Sequence, residues 1–151
     1  MSKLHLVLLG MLCAVCGCGG TPDGQRPTSP VEVTVTHLGK PVEGATVTFI
    51  TVDQPMASNG ITDSKGVTYL STYGPKDGAV IGSNLVTISK TEIDKSVKTK
   101  TIDPAQADTV GYTPLTPLKS LLPSKYSMPG TSGLKADVKS GGNKFTFDLT
   151  N

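Results

Sequence analysis

The sequence predicts an all-β sandwich, and three observations support this fold class. Apolar and polar residues alternate in short runs, of which the clearest are VEVTVT at 31–36, ATVTFI at 45–50 and KFTFDL at 144–149. Turn-forming residues are abundant, with 17 Gly and 11 Pro in 151 residues. The best helical candidate, residues 115–122, is limited to a turn by Pro114, Pro117 and Pro123. Alternation with period two between turns is typical of half-buried antiparallel strands.

The first two runs predict an antiparallel hairpin, with a turn at residues 38–41 in which Gly39 is free to adopt a positive φ. Because side chains alternate between the two faces of a strand, every second residue of a run is expected to face the core. The residues predicted to face inward are Val31, Val33, Val35, Ala45, Val47, Phe49, Phe145, Phe147 and Leu149. His37 continues the first series and is interpreted as a partly covered histidine at a strand end.

Further turns and strands follow along the chain. Residues 60–70 predict a strand, a turn and a second strand, with Asp63 bonded to the turn backbone and Gly66 closing the turn. Residues 76–79 predict another turn, and residues 84–89 another strand. Six or seven short strands with frequent turns are typical of an antiparallel sandwich.

Residues 96–132 are predicted to form an irregular, proline-rich insertion. Prolines at 104, 114, 117, 123 and 129 exclude long regular structure there. We expect Tyr126 and four leucines to pack it as a lid over an edge or an end of the sandwich, the leucines being Leu115, Leu118, Leu121 and Leu122. A recognition patch formed by Lys125 and Tyr126 is the alternative interpretation.

Residues 1–17 are predicted to be a signal peptide. Lys3 precedes an apolar run at residues 4–15, and small residues follow the run. This order of charge, apolar run and small residues is that of a secretory leader. A bilayer-spanning helix needs about 20 apolar residues, so the run is too short for a transmembrane anchor.

The three cysteines, Cys13, Cys16 and Cys18, are clustered at the end of this leader. The clustering argues against a disulfide framework, and no second group of Cys or His accompanies them to hold a metal. The sequence VCGC at residues 15–18 is similar to the motif read by lipoprotein signal peptidase, with an aliphatic residue first and a small residue before the cysteine. We therefore predict cleavage before Cys18 and lipid attachment to it; an ordinary secretory signal is the alternative.

The lipidated cysteine and a flexible tether make up residues 18–30 of this prediction. The tether, residues 19–30, consists largely of Gly, Pro, Ser and Thr and has no hydrophobic side chain. The sandwich domain is predicted to occupy residues 31–151. Gly19 stands where an aspartate retains some lipoproteins at the inner membrane, which favours the outer membrane or its periplasmic face.

The composition argues against several function classes. Lys and Arg number 14 against 12 Asp and Glu, with no basic stretch dense enough for nucleic-acid binding. Clustered zinc ligands, a GxSxG nucleophile motif and a phosphate-binding glycine loop are all lacking. Glu43, Asp53, Asp63 and Asp77 are the candidates for a glycosidase pair, and Asp63 with Asp77 for a calcium site. All but Asp53 lie in turn motifs, so we predict no catalytic residue, metal or cofactor.

Two motifs resemble the carboxypeptidase regulatory-like, or transthyretin-like, domains. GKPVEGATVTF at 39–49 matches the family pattern GxPVxGAxVxF, and TDSKGVTYL at 62–70 resembles TDxxGx[FY]xL, with its tyrosine one position later than in the pattern. Other segments are similar to small bacterial lipoproteins built on that domain, namely residues 77–79, 122–126, 131–134 and 143–149. The resemblance implies a seven-stranded Greek-key sandwich, from which this chain departs in its insertion. It implies an accessory, adhesive or scaffolding role and carries no catalytic residues.

The predicted function is that of a lipid-anchored, non-enzymatic lipoprotein of the cell envelope. Its partners are expected to be the membrane, through the lipid on Cys18, and a protein or glycan of the envelope. The alternative is a carbohydrate-binding or adhesion module at the cell surface. Such a module would stack sugars on tyrosines, since the chain has no Trp, and the candidates are Tyr69, Tyr73, Tyr112 and Tyr126.

Overall fold

A computed structural model describes residues 24–96 and 117–151 of the chain. Within these residues nearly all regular structure is β-strand, with one short 3₁₀ helix (η1) and one short α-helix (α1). The elements are β1 (Thr28–Ser29), β2 (Val31–His37), β3 (Lys40–Pro41), β4 (Thr46–Thr51), β5 (Ala57–Ile61), β6 (Val67–Tyr69), β7 (Ala79–Val80), β8 (Gly82–Ser89), β9 (Thr91–Ile93), β10 (Leu118–Ser120), η1 (Ser124–Ser127), α1 (Pro129–Ser132), β11 (Leu134–Val138) and β12 (Asn143–Leu149).

Two sheets packed face to face form the sandwich, which confirms the predicted fold class. One sheet is antiparallel throughout, in the order β11-β8-β4-β5. In the other, β12 lies on one edge of β2, and β3 and β6 pair with successive parts of its other edge. The β12–β2 pair is parallel, whereas the other strand pairs among the described residues are antiparallel.

The core lies between the inner faces of the two sheets. The residues predicted to face inward do so, with Val31, Val33, Val35, Ala45, Val47, Phe49 and Leu149 at most 2 % exposed. Phe145 and Phe147 of β12 are half-buried and pack on the Phe49 ring, with centroid distances of 5.6 and 6.3 Å. The alternation of apolar residues therefore predicted the inner face of each of these strands correctly.

The predicted hairpin of residues 31–36 with residues 45–50 is wrong, because β2 and β4 lie in different sheets. Leu38 and Gly39 both have positive φ, of 53° and 73°, and the tight turn they form pairs β2 with the short strand β3 instead. The chain then crosses to the other sheet before β4 begins. Both strands face the same core, so their alternation is the same whichever sheet they join.

The turn predicted around Asp63 is confirmed, although the strands on its two sides are not paired with each other. One oxygen of Asp63, Oδ1, accepts hydrogen bonds from the amides of Lys65 and Val67 at 2.8 and 2.9 Å, and Gly66 has a φ of 76°. The strand before the turn, β5, pairs with β4, and the strand after it, β6, pairs with β2. The turn therefore connects the two sheets.

Residues 97–116 of the predicted insertion lie outside the described part of the chain, and Leu115 with them. The remainder contains β10, paired with β9, and the helices η1 and α1. Leu118 and Leu121 are 65 % and 37 % exposed, so the prediction that they pack inward is wrong, because β10 turns Leu118 to the solvent. Leu122 and Tyr126 are 6 % and 7 % exposed and join the core as predicted.

Candidate functional site

The signal peptide and Cys18 lie outside the described residues, but the entry of the chain into the fold is visible. The Arg26 amide donates to the Tyr73 hydroxyl at 3.0 Å, and the Pro27 carbonyl accepts from the Ile81 amide at 3.1 Å. Thr28 and Ser29 then pair with β7, and Ser29 is 2 % exposed. Residues 26–30 of the predicted tether are thus packed on the sandwich, beginning eight residues after Cys18 (26 − 18).

Gly78 allows this close packing. It has a φ of 93°, and a Cβ atom placed on it would lie 1.8 Å from the Ser29 carbonyl oxygen. Asp77, just before it, accepts hydrogen bonds from the amides of Thr72, Tyr73 and Gly74 at 2.7 to 3.0 Å. Burial alone would raise the pKa of Asp77, but these three hydrogen bonds outweigh burial and lower it. The predicted turn is present but lies earlier than residues 76–79: the Asp77 amide donates to the Gly74 carbonyl, and Ala79 already belongs to β7.

The most distinctive polar surface of the described residues surrounds Tyr69, and we name it the Tyr69 surface. The Tyr69 hydroxyl donates to Glu32 Oε2 at 2.9 Å, and Lys144 Nζ lies 3.0 Å from Glu32 Oε1. Lys76 Nζ is 5.4 Å from the centre of the tyrosine ring. The hydrogen bonds from Lys144 and Tyr69 lower the pKa of Glu32, and the bond to Glu32 raises the pKa of Tyr69.

Tyr69, which is 49 % exposed, contributes to the lining of two open cavities. One has a volume of about 400 Å³, and Glu32, Asn143 and Lys144 contribute to its lining. The other, of about 570 Å³, is bordered by Asn59, Lys76 and other residues of β5 and β6. An exposed aromatic ring that lines such cavities can contact a flat polar ligand, although Lys76 already lies near this ring and Glu32 accepts the hydrogen bond of its hydroxyl.

The predicted candidates for acidic chemistry do not form one site. Asp63 precedes β6 in the chain and Asp77 follows it. Each carboxylate accepts hydrogen bonds from backbone amides of its own turn. Hydrogen bonds from the amides of Val67 and Lys65 lower the pKa of Asp63. Glu43 and Asp53 are exposed. No group of three or more His, Cys, Asp or Glu in the described residues is arranged to hold a metal ion.

The remaining predicted residues have structural contacts. His37 is half-buried, and its Nε2 atom is 3.2 Å from Asn151 Oδ1. Lys125 Nζ donates to the Asn151 carbonyl at 3.1 Å and lies 5.0 Å from the centre of the Tyr126 ring. Because Tyr126 is buried, these two residues join the insertion to the chain end, and only Lys125 is exposed. Tyr112 lies outside the described residues.

The sequence alone does not show that Tyr69, Glu32 and Lys144 are in contact, because these residues are far apart in the chain. They meet through strand register: Glu32 lies opposite Tyr69 on one side of β2 and opposite Lys144 on the other. Their outward positions in alternating runs are visible in the sequence. The pairing of β2 with both β6 and β12 is not.

No known protein family, curated protein or solved structure matches this chain. Among the described residues, no helix is long and apolar enough to cross a membrane.

Proposed function

We propose that the chain is a lipoprotein of the cell envelope, anchored by lipid on Cys18, whose sandwich binds or supports another envelope component without catalysis. The observation that carries the proposal is the short distance in sequence between the VCGC motif at residues 15–18 and Arg26, whose amide is bonded to Tyr73 of the sandwich. A domain that begins so soon after its anchor is held next to the membrane surface. The outer membrane or its periplasmic face is the favoured location.

A non-enzymatic role is supported by how the described polar residues are used. The carboxylates of Asp63 and Asp77 are bonded to turn amides, and Asp148 Oδ1 accepts from the Gly39 amide at 3.0 Å. The one His in the described residues, His37, contacts the Asn151 side chain. These contacts give each of the groups a structural role in a turn or at a strand end, which supports the proposal.

We further propose that the sandwich is a carboxypeptidase regulatory-like, or transthyretin-like, domain. This family has seven strands in a Greek-key arrangement. The motif at residues 39–49 covers the turn after β2 and most of β4, and the motif at residues 62–70 covers the Asp63 turn and β6. In both, the glycines with positive φ occupy turns, as the motifs require.

Metabolic labelling with an alkyne analogue of palmitate tests the anchor. We expect the wild-type chain to be labelled and to remain with the membranes, and Cys18→Ala to lose both properties. Cys16→Ala is the matched control and should be labelled like the wild type. Equal labelling of wild type and Cys18→Ala would exclude the proposed attachment site. Crosslinking in cells, followed by mass spectrometry, then identifies the component that the sandwich contacts.

A carbohydrate-binding or adhesion module is the second candidate, and the exposed Tyr69, which lines two open cavities, favours it. Its test is a glycan array probed with wild type, Tyr69→Ala and Tyr73→Ala. A sugar-binding surface at Tyr69 requires binding that Tyr69→Ala abolishes and Tyr73→Ala preserves. An array without any bound glycan would count against this candidate.

A further inference from the structure

The edge of β12 that faces away from β2 has no strand partner among the described residues. Asn143 N donates to the Pro30 carbonyl at the start of β12, and the Leu149 carbonyl accepts from Leu38 N at its end. Backbone groups alternate in direction along a strand, so residues 143, 145, 147 and 149 bond to β2. The amide and carbonyl groups of Lys144, Thr146 and Asp148 therefore point to the open edge.

The side chains of these three residues are exposed on the outer face of the sheet. They carry a positive charge, a hydroxyl and a negative charge at equal spacing along the strand. When such a strand is turned around and placed antiparallel beside itself, the positive end meets the negative end. The pattern is therefore complementary to its own copy.

We propose that β12 pairs antiparallel with β12 of a second copy of this chain, about a two-fold axis at Thr146. In this register Lys144 lies opposite Asp148 of the second copy, and the two Thr146 residues lie opposite each other. Phe145 lies opposite Phe147 of the second copy on the inner face. The two sheets that contain β12 then join into one continuous sheet across the pair.

The charged groups retain the capacity for these contacts. Lys144 Nζ has three N–H groups and donates one hydrogen bond within the described part of the chain, to Glu32. Among the residues that the structure describes, the hydrogen bonds to Asp148 come from the Thr36 hydroxyl and the Gly39 amide, and both go to Oδ1. Its Oδ2 atom is thus available to Lys144 of the second copy, whose side chain is 79 % exposed.

The pairing of charges favours this register over the registers shifted by two residues. Sliding one strand by two residues places Lys144 opposite Thr146 and leaves Asp148 without an opposite charge. Opposite charges directly across an antiparallel pair stabilise it, and like charges destabilise it. An exposed edge with unpaired backbone groups is itself a template for another strand, so the charge pattern decides which strand is accepted.

Charge reversal tests the pairing with the full chain. Two differently tagged copies are co-expressed, one is purified from detergent extracts, and the amount of the other is measured. Lys144→Glu faces Asp148 of the partner copy, and Asp148→Lys faces Lys144, so each variant should recover its own second copy at least tenfold less than wild type. Co-expression of Lys144→Glu with Asp148→Lys restores opposite charges at both positions. This mixture should recover to within about twofold of wild type.

The mixture separates pairing from a folding defect, because restoring complementarity between chains cannot repair either fold. The matched control comes from β11 in the other sheet, where Lys135 and Asp137 are likewise an exposed lysine and an exposed aspartate on one strand. Lys135→Glu should leave recovery unchanged. The proposal is overturned if wild type recovers no second copy, if the mixture stays as low as the single variants, or if Lys135→Glu lowers recovery as Lys144→Glu does.

Discussion

Tyr126 and Thr150 form a reciprocal backbone contact: the tyrosine hydroxyl donates to the Thr150 carbonyl and accepts from its amide, both at 3.1 Å. The tyrosine ring is buried in the core, so these two hydrogen bonds hold the backbone of Thr150 against η1. Tyr126→Phe keeps the ring and removes both hydrogen bonds. We expect the free energy of unfolding to fall by about 1–2 kcal/mol, measured by urea denaturation.

Tyr73→Phe is the control for that change. The Tyr73 hydroxyl accepts one hydrogen bond, from the Arg26 amide, and the residue is 36 % exposed. Its loss should cost about 0.5 kcal/mol, because water can replace the bond. Equal losses in the two variants would contradict the fastening role of Tyr126.

Gly78 is predicted to be intolerant of any side chain. Gly78→Ala places a Cβ atom on the Ser29 carbonyl in a backbone region that alanine avoids, and the neighbour is backbone that cannot rotate away. We expect a loss of more than about 3 kcal/mol in a thermal unfolding measurement. At Gly142 a Cβ atom meets nothing within 4 Å, and Gly142→Ala should change stability by less than about 1 kcal/mol. Similar melting temperatures for the two variants would disprove the proposed packing of residues 28–29 on β7.

Two leucines of the predicted lid are expected to respond differently to truncation. Leu122 is buried in the core cluster, and Leu122→Ala should cost about 2–4 kcal/mol. Leu118 is 65 % exposed, and Leu118→Ala should stay within about 0.5 kcal/mol of wild type. Chemical denaturation of both variants measures the difference, and a large loss for Leu118→Ala would show that this side chain is covered in solution.

Asp77 should contribute an acid-dependent part of the stability. Its pKa is lowered in the fold, so its contribution is complete above the unfolded pKa of about 3.9 and is lost as the pH falls through the folded pKa. Asp77→Asn should destabilise the domain by about 1 kcal/mol at pH 7, and this difference should shrink below pH 4. Urea titrations at a series of pH values measure it.

Asp53→Asn is the control for the acid dependence. Asp53 is exposed, and its carboxylate has no hydrogen bond to the described residues. Because this side chain is exposed, Asp53→Asn should stay within about 0.5 kcal/mol of wild type in the same urea titrations. A difference between Asp77→Asn and wild type that stays constant down to pH 3 would show that the turn does not depend on the charge.

The fold class was predictable because the alternation of apolar and polar residues along a strand indicates which side chains are buried. This signal is local to each strand. Val33, Val47 and Phe147 all face inward as their positions in the runs require. Sheet membership was not predictable, because β2 and β4 show the same alternation on opposite sides of one core. The parallel pairing of β12 with β2 joins segments from opposite ends of the domain, and no local signal in either strand specifies it.

For the polar residues too, contacts within a turn were predictable, and contacts that depend on strand pairing were not. Asp63 and Asp77 were interpretable because an aspartate close to a glycine bonds nearby amides in a turn. Glu32, Tyr69 and Lys144 were not, because their contact follows from the register of three strands. The packing of residues 28–29 also escaped prediction, because their composition is that of a linker and a glycine far along the chain decides their position.

The position of Arg26 has a consequence for how a paired sandwich rests on a bilayer. An antiparallel β12 pair, whose strands of seven residues are each about 23 Å long, places the two Arg26 residues at opposite ends of the pair. The eight residue steps from Arg26 to Cys18 reach about 29 Å at most. With the strands of the pair perpendicular to the bilayer, the upper copy would need a more extended tether than the lower copy. If the proposed anchor and the proposed pair both hold, the two tethers reach one bilayer with the least extension when the strands run along its surface.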